Sequence, residues 1–275
     1  MKDSDAPSLG AVPAHWDVLP IGRLGTMLKG RGGSKEDEAT SGVPCVRYGD
    51  LYTRYEFFIT SAKACVSDDR VGAYTPIQHG DVLFAGSGET IDDIGRSAVN
   101  LLEGRAVCGG DIILLRPNRD INPRFLGYAA DAPSSRQQKA TMGRGFTVVH
   151  IYGSELKRLV LAIPPLDEQA AIVRFLDHAD RRIRRYIRAK QNLIKLLEEQ
   201  KQAVIHRAVT RGLDSSAGLK PCHVEGVSAV PRQWQVRSFA RIAIDRADYR
   251  GATPTKTDSG IFLVTARNVR KGWID

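Results

Sequence analysis

The sequence predicts a mixed α/β protein, in which a globular domain is followed by a long helix of the coiled-coil type and then by the start of a second, repeated domain. Three observations predict this order. Short apolar runs alternate with turn residues as far as about residue 165, and an apolar spacing typical of coiled coils then continues to about residue 210. A motif from the N-terminal region also returns near the C-terminus.

The first domain is predicted over residues 17–165, after a lead-in of residues 1–16. Clusters of Gly, Asp and Pro separate its strand-like apolar runs, which are CVRYGDL, DVLFA, DIILLRP and LKRLVLAIP. A helix is expected in NPRFLGYAADA, because Asn122 is a suitable N-cap and Pro123 suits the first turn. The sequence therefore predicts strands with at least one helix among them.

The long helix is predicted over residues 167–211. Pro164 and Pro165 end the preceding strand, and Asp167 and Glu168 place acidic groups where a helix N-terminus is electropositive. Apolar residues then recur at alternating steps of four and three, the seam spacing of a coiled coil. At 1.5 Å per residue the helix would be roughly 65 Å long.

The apolar stripe of this helix is too wide to stand alone in water, so a second helix, from this chain or another, should cover it. The seam residues predicted to pair with that helix are Ile172, Leu176, Ile183, Leu193, Leu197 and Val204.

A repeat marks the C-terminal region. VPAHWDV, from residue 12, returns as VPRQWQV, from residue 230, and at the same offset of 218 positions Gly33 meets Gly251. A period this long indicates domain duplication, since solenoid repeats run to roughly 20 to 50 residues. We predict a linker over residues 212–226 and the beginning of the second copy over residues 227–275, where the chain stops early.

Composition restricts the function. The 275 residues carry a net charge of +9, and residues 174–211 hold eleven of the basic side chains. Such charge favours a polyanion such as nucleic acid, although a solvated basic surface or a face for an acidic partner gives the same numbers. We expect no membrane span and no secretory signal, and therefore a cytoplasmic protein.

No motif for catalysis or for a cofactor is present. The four cysteines form no CxxC pair, and the six histidines form no HxH or HExxH pair, so no metal is predicted. AGSGETIDDIG resembles a phosphate loop but has Leu83 at the early glycine position and Glu89 at the lysine position. Signatures of a methyltransferase or a nuclease are absent, so we predict no enzyme activity and no cofactor.

Two glycine-bearing segments remain as candidate DNA contacts. AGSGETIDDIG is either a turn between two strands or a DNA-contacting loop beside Arg96. RQQKATMGRGFTVVHI, residues 136–151, is either a solvated loop or a basic loop that follows phosphates and reads guanine.

Taken together, these motifs resemble the specificity subunit of type I restriction-modification systems. The segments that carry the resemblance are GAVPAHW, GDVLFAGSG, GGDIILLRPN, IPPLDEQAAIVRFLD, KLLEEQKQAVIHRAVTRGLD and VPRQWQV. A family member would normally continue through a complete second target-recognition domain and a second long helix.

The resemblance implies that each target-recognition domain reads one half of a split DNA sequence. Paired antiparallel helices would set the spacing and dock methyltransferase subunits, while S-adenosylmethionine and ATP-driven cleavage would belong to the modification and restriction subunits. Residues 17–165 would then be the first target-recognition domain, 167–211 the spacer and docking helix, and 227–275 a truncated second domain.

We therefore predict a non-catalytic DNA-recognition subunit whose partners are double-stranded DNA, the methyltransferase subunits, the restriction subunit through the complex, and a second copy of the chain through the helix. The residues predicted to face DNA are Lys35, Tyr48, Arg54, Ser87, Arg96, Arg136, Lys139 and Arg144. The alternative is a truncated interaction protein that binds methyltransferase subunits through its helix without specific DNA binding.

Overall fold

A computed structural model describes residues 1–33, 37–145 and 147–243, together with residues 257, 259–260, 264, 268–270 and 273–274. Contacts within the chain divide it into two units, residues 1–190 and residues 191–275. Strands and helices are numbered along the chain.

The first unit contains sixteen described strands. In chain order they are β1 (Lys2–Asp3), β2 (Ala11–Val12), β3 (Asp17–Pro20), β4 (Gly25–Lys29), β5 (Glu38–Ala39), β6 (Val43–Val46), β7 (Phe58–Ile59), β8 (Ala64–Val66), β9 (Thr75–Ile77), β10 (Val82–Ala85), β11 (Ser87–Gly88), β12 (Ser97–Asn100), β13 (Ala106–Cys108), β14 (Ile112–Pro117), β15 (Val149–His150) and β16 (Val160–Ile163).

Two five-stranded sheets form the body of this unit, with the orders β4-β14-β10-β12-β7 and β5-β8-β6-β13-β9. All neighbours are antiparallel except β12 with β7 and β13 with β6. Strand β10 reads VLFA and is buried along its whole length, as a central strand with both faces covered should be. Three two-stranded pairs, β1-β2, β11-β15 and β16-β3, complete the strands.

Four short helices, α1 (Tyr48–Thr53), α2 (Pro123–Ala130), α3 (Pro133–Met142) and α4 (Gly153–Leu156), precede the long helix α5 (Leu166–Arg211). The helix predicted in NPRFLGYAADA is confirmed as α2, where the Asn122 side chain accepts hydrogen bonds from the backbone amides of Arg124 and Phe125. The loop predicted over residues 136–151 is wrong at its start, because residues 133–142 form α3. Pro133 at the first turn favours that helix.

The core is apolar on both faces of the central strands. Phe84, Val99 and Leu115 are fully buried in one cluster with residues of α2 and β16, while Leu83 and Leu114 are fully buried in another with Leu51 of α1 and residues of the second sheet. Alternation along β10 and β14 therefore directs successive side chains into two different clusters.

The first turns of α5 are fastened to the first domain by polar side chains. The Asp177 carboxylate accepts hydrogen bonds from Arg124, at 2.9 Å, and from the Tyr128 hydroxyl, at 2.8 Å. Burial alone would raise the pKa of Asp177, but these two donors outweigh it and lower that pKa. At the helix N-terminus, Glu168 accepts from the Trp16 indole at 3.0 Å and lies 2.6 Å from His15.

The second unit repeats the beginning of the first at the level of strand register. Strands β17 (Leu219–Val224) and β18 (Val227–Pro231) pair Lys220 with Val230, as β1 and β2 pair Lys2 with Val12, 218 residues earlier. A 3₁₀ turn at Ile21–Arg23 likewise returns at Phe239–Arg241, in the same offset. The predicted repeat is therefore present in the structure as this strand pair and this 3₁₀ turn, although residues 235–238 form no strand where β3 lies in the first copy.

Residues 219–224 form a strand, so the predicted linker over residues 212–226 is shorter in the structure than expected. The remaining described residues of the second copy include the pair β19 (Val269–Arg270) and β20 (Trp273–Ile274). The predicted fold class, an α/β domain followed by a long helix and the start of a repeat, is confirmed, whereas the domain boundaries stay predictions.

We expect Asp177→Asn to lower the free energy of unfolding by about 1–2 kcal/mol, because it weakens two hydrogen bonds to a charged, partly buried carboxylate. Urea denaturation measures the change. Asp180→Asn is the matched control one turn along α5: its exposed pair with Arg184 should contribute only about 0.3–0.5 kcal/mol. Equal losses in the two variants would contradict the assignment of Asp177 as the fastening residue.

Since the pKa of Asp177 is lowered on folding, its contribution to stability is present above the pKa of the unfolded chain, near the ordinary aspartate value of 3.8. That contribution is lost as pH falls through the lower pKa of the folded protein. The difference in stability between wild type and Asp177→Asn should therefore be constant near neutral pH and shrink only in acid. A difference that persisted in acid strong enough to protonate Asp177 in the folded protein would show that the loss comes from packing rather than charge.

Candidate nucleic-acid interface

A cross-strand row brings together two of the residues predicted to face DNA. Ser87 of β11 pairs with His150 of β15, and a β-bridge pairs His150 with Arg144. Two backbone hydrogen bonds, of 2.9 and 2.7 Å, join Arg144 and His150. Directly opposed residues in a ladder direct their side chains to the same face, so Ser87, His150 and Arg144 form one row, called the recognition row below.

The side chains of the recognition row differ in how far they are exposed to solvent. Ser87 is buried, and its hydroxyl lies 3.0 Å from the Nδ1 atom of His150, whose ring is exposed. The Arg144 side chain is 72% exposed, and its nearest carboxylate, on Glu155, is 3.5 Å away. This distance is too long for a strong hydrogen bond to Glu155. The N–H donors of the Arg144 guanidinium therefore remain available to a ligand.

A cavity of about 350 Å³ continues this surface past β15. Val149 and Ile151 point into the core, whereas His150 and Tyr152 are exposed, with ring centroids 6.5 Å apart. Lys29 and Lys157, both exposed, line the same cavity, and so does the exposed Asp111. An aromatic face with two cations nearby suits a nucleic acid, because phosphates take the cations and bases stack on rings.

Sequence reasoning missed His150, Tyr152, Lys29 and Lys157. The spacing of the histidines supports no metal site, and each is otherwise expected to be a single core or surface residue. The signal that could have found two of them is the alternation in VVHIYG, which places His150 and Tyr152 on the face opposite Val149 and Ile151.

Helix α1 supports the recognition row from behind. The Tyr52 hydroxyl donates to the Ser87 carbonyl at 2.9 Å, and burial raises the pKa of Tyr52 to about 12, so the phenol remains a donor near neutral pH. Tyr48, one turn earlier on the same helix, is exposed and belongs to the residues predicted to face DNA. The structure therefore brings Tyr48 to the helix that holds Ser87.

The segment 89–96 beside β11 is acidic on its surface. Glu89, Asp92 and Asp93 are exposed, and the guanidinium of Arg96 lies 3.7 Å from the Asp93 carboxylate. Carboxylates repel phosphates but accept hydrogen bonds from the amino group of cytosine. This segment is therefore suited to base edges rather than to the DNA backbone.

Arg54 is not gathered with the others. Arg54 ends α1, lies 3.5 Å from the Asp50 carboxylate, and lines a separate cavity of about 330 Å³ together with Glu56 and Arg184. Lys35 lies outside the described residues, so its predicted role stays a prediction.

Lys139 is not on a DNA-facing loop as predicted, because its side chain is 0% exposed inside the domain. Its ammonium donates to the Gly95 carbonyl at 2.7 Å, to the Ala130 carbonyl at 3.0 Å and to the Asp131 carboxylate at 3.0 Å. Burial lowers the pKa of Lys139 to about 8, which leaves it mostly charged near neutral pH. An ammonium enclosed in this way is inaccessible to DNA.

Arg136 is partly withdrawn from solvent as well. Its guanidinium donates twice to the Asp131 carboxylate, at 2.7 and 3.2 Å, and once to the Asp131 carbonyl, at 3.0 Å. Sequence reasoning could not separate Arg136 and Lys139 from Arg144, because the acidic residue that binds the first two is the single carboxylate of YAADAP.

The apolar stripe of α5 is exposed in the single chain. Ile172 and Leu176 are half-buried against the first domain, but from Ile183 onward the predicted seam residues are exposed, with Leu193 at 46% and Val204 at 61%. Further exposed apolar residues on this helix are Leu166, Phe175, Tyr186, Ile187, Ile194, Leu196, Ile205 and Val209.

Among the described residues, no three His, Cys, Asp or Glu side chains are grouped as metal ligands would be. The helices of the described ranges include none that is both long and apolar enough to cross a membrane.

The class of protein is therefore an α/β domain that runs into a 46-residue helix and is followed by a repeat of the beginning of that domain. The model of the type I restriction modification DNA specificity domain family matches residues 13–196, and the chain belongs to that family.

Relatives agree with this assignment. The type I restriction enzyme EcoKI specificity subunit of Escherichia coli is 21% identical over 273 residues, which are 98% of this chain and 57% of that protein. The chain spans about half the length of the curated relatives it matches, between 45% and 57%.

Two solved structures share the fold. One, from work on complex assembly and conformational transition of the type I R-M system, superposes with a TM-score of 0.55 at 22% identity, over 72% of this chain and 47% of its own. The HsdS subunit from Thermoanaerobacter tengcongensis gives a TM-score of 0.50 at 19% identity, over 72% of this chain and 46% of its own.

We expect Lys139→Ala to lower the free energy of unfolding by about 3–5 kcal/mol, because it leaves buried carbonyls and the Asp131 carboxylate short of a donor. Arg144→Ala should change it by less than about 0.5 kcal/mol, since that side chain is exposed. Denaturant titration of both variants measures the difference. Similar values would mean that Lys139 is not buried in solution.

Proposed function

We propose that this chain recognises a DNA sequence as a non-catalytic component of a type I restriction-modification complex in the cytoplasm. Residues 17–165 serve as a target-recognition domain, 167–211 as the spacer and docking helix, and 227–275 as the beginning of a second recognition domain. The observation that carries the proposal is the family match over residues 13–196, which covers this domain and more than half of the helix.

The recognition row supports the DNA-reading part of the proposal. Arg144 has an exposed guanidinium whose planar fork fits the O6 and N7 atoms of guanine, and the neighbouring His150 ring is also exposed. Lys29, Lys157 and the basic stretch of α5 between residues 181 and 190 supply cations for phosphates. Base contacts and phosphate contacts are thus carried by different residues.

The exposed stripe of α5 supports the docking part. Apolar side chains on an isolated helix are covered by another helix or by a partner subunit, because each contributes about 1.5–3 kcal/mol when fully buried. We propose two occupants in sequence: a second copy of the chain, whose antiparallel α5 pairs through an isologous contact, and the methyltransferase subunits, which dock on the pair and connect it to the restriction subunit. Identical domains at the two ends would favour a palindromic split site.

The DNA-reading test begins with selection of bound duplexes from a randomised pool by the full chain. Arg144→Ala should then weaken binding to the selected duplex by about 1–3 kcal/mol and leave binding to a scrambled duplex unchanged, as expected for a base contact. Arg105→Ala is the matched control, because its side chain is 64% exposed and also has one carboxylate nearby, that of Asp68 at 3.2 Å.

Equal weakening on both duplexes would make Arg144 a phosphate contact, with a log–log salt slope flattened by about 0.9. No weakening would remove it from the interface. A chain that enriched no sequence, yet bound methyltransferase subunits, would favour the interaction-protein alternative.

Light scattering at micromolar concentration tests the helix pairing. The wild type should show about twice the chain mass of 30.2 kDa, and the double variant Ile183→Asp, Leu193→Asp should show the single-chain mass, because burial of unpaired carboxylates costs several kcal/mol. Gln191→Asp with Asn192→Asp adds the same charge at exposed polar positions and should preserve the dimer. A wild type of single-chain mass would rule out the homodimer.

A further inference from the structure

The least expected polar group in the first unit is the buried ammonium of Lys139, which lies directly beneath the segment 89–96. Besides Asp131 and Ala130, it contacts the Gly95 carbonyl at 2.7 Å and the Ser97 hydroxyl at 3.3 Å. One cation therefore joins α3, the C-terminus of α2, strand β12 and the end of this segment.

The residue at position 95 is a glycine, which favours the contact between its carbonyl and the Lys139 ammonium. Its φ is +69°, a conformation that glycine adopts without strain, and a Cβ atom there would lie 3.0 Å from the Lys139 Cδ atom. The glycine thus allows its backbone to approach the lysine stem while its carbonyl accepts from the ammonium. The next residue is Arg96, whose own carbonyl accepts from the Ala85 amide at 2.8 Å.

The same segment packs against the strands that carry the recognition row. Ile94 is buried, and it lies 3.4 Å from the Cβ position of Gly88 in β11 and 3.1 Å from that of Gly143, whose Cβ position is also 2.9 Å from Val149 of β15. A shift of residues 94–96 would therefore move the exposed carboxylates of the segment relative to Ser87 and His150.

We propose that Lys139 is a positioning residue for sequence discrimination: by holding the Gly95 carbonyl, its ammonium fixes the segment 89–96 against the recognition row without touching DNA. This inference rests on the proposed function, since discrimination presupposes DNA reading. The contact by which Lys139 holds the segment at the Gly95 carbonyl does not depend on the proposed function.

Arg136 provides a matched control within the same cluster. Arg136 and Lys139 are both cationic partners of the Asp131 carboxylate, but only Lys139 reaches Gly95. If Lys139 only balances the charge of Asp131, Arg136→Met and Lys139→Met should behave alike. If it positions the segment, only Lys139→Met should change the segment and the discrimination.

Two measurements on the full chain decide between these outcomes. The first is amide hydrogen exchange across residues 89–96 without DNA; Lys139→Met should lose protection there and Arg136→Met should keep it. The second is the ratio of affinities for the selected duplex and for the same duplex with one base pair changed. That ratio should fall about tenfold in Lys139→Met, which is the size of a typical single-position preference. It should stay unchanged in Arg136→Met, because the Arg136 guanidinium is held by Asp131 outside the recognition row, so that any phosphate contact it makes would be lost equally on both duplexes.

If Lys139→Met does not fold, the double variant Asp131→Asn, Lys139→Met removes both buried charges and should give the same two results. Unchanged exchange in the lysine variants, or equal loss in Arg136→Met, overturns the positioning role. A wild type without sequence preference defeats the proposed function instead, and the exchange comparison still decides whether Lys139 holds the segment.

Discussion

The ion pair between Lys139 and Asp131 organises the side of the first domain that carries the candidate interface. Neither side chain is exposed, and their distance is 3.0 Å. Burying two charges is favourable only when further hydrogen bonds satisfy them, and here Arg136, Ser97 and two backbone carbonyls do so. The pair therefore requires the junction of α2 and α3, strand β12 and the segment 89–96 to meet at one point.

The duplication gives the N-terminal segment a structural meaning. In the first copy, the turn that follows β2 brings Trp16 to the N-terminus of α5, where its indole donates to Glu168. The same turn recurs after β18, where the Trp234 amide donates to the Pro231 carbonyl at 2.9 Å, as the Trp16 amide donates to Pro13 at 3.1 Å. The motif VPxxW thus encodes a local turn that presents a tryptophan, and its repetition was visible in the sequence because the turn needs the same residues each time.

The elements that sequence reasoning found depend on local signals. Helix α2 follows from Asn122 and Pro123, and α5 follows from the prolines before it and from its apolar spacing. The candidate interface depends on pairing between residues that are distant in the sequence. Ser87 and His150 are 63 residues apart, and no pattern in either strand predicts that they pair. The exposure of the basic side chains could not be predicted from the sequence either. Lys139, Arg136 and Arg144 are all basic residues of one segment, but Asp131 forms ion pairs with Lys139 and Arg136, and only Arg144 remains largely exposed.

Under the proposed function, the charge distribution around the candidate interface would separate affinity for DNA from discrimination between sequences. The chain has a net charge of +9, yet the segment beside the recognition row exposes three carboxylates. Cations elsewhere attract any DNA through its phosphates, whatever its sequence. A carboxylate near the bases would make binding unfavourable unless it accepts a hydrogen bond from a donor such as the cytosine amino group. Such carboxylates would therefore weaken binding to wrong sequences more than they strengthen binding to the right one. Under the proposed function, a penalty of this kind would work only if the carboxylates could not move away from an unsuitable base. The positioning role proposed for Lys139 would meet that requirement, because its ammonium holds the Gly95 carbonyl at the end of the segment.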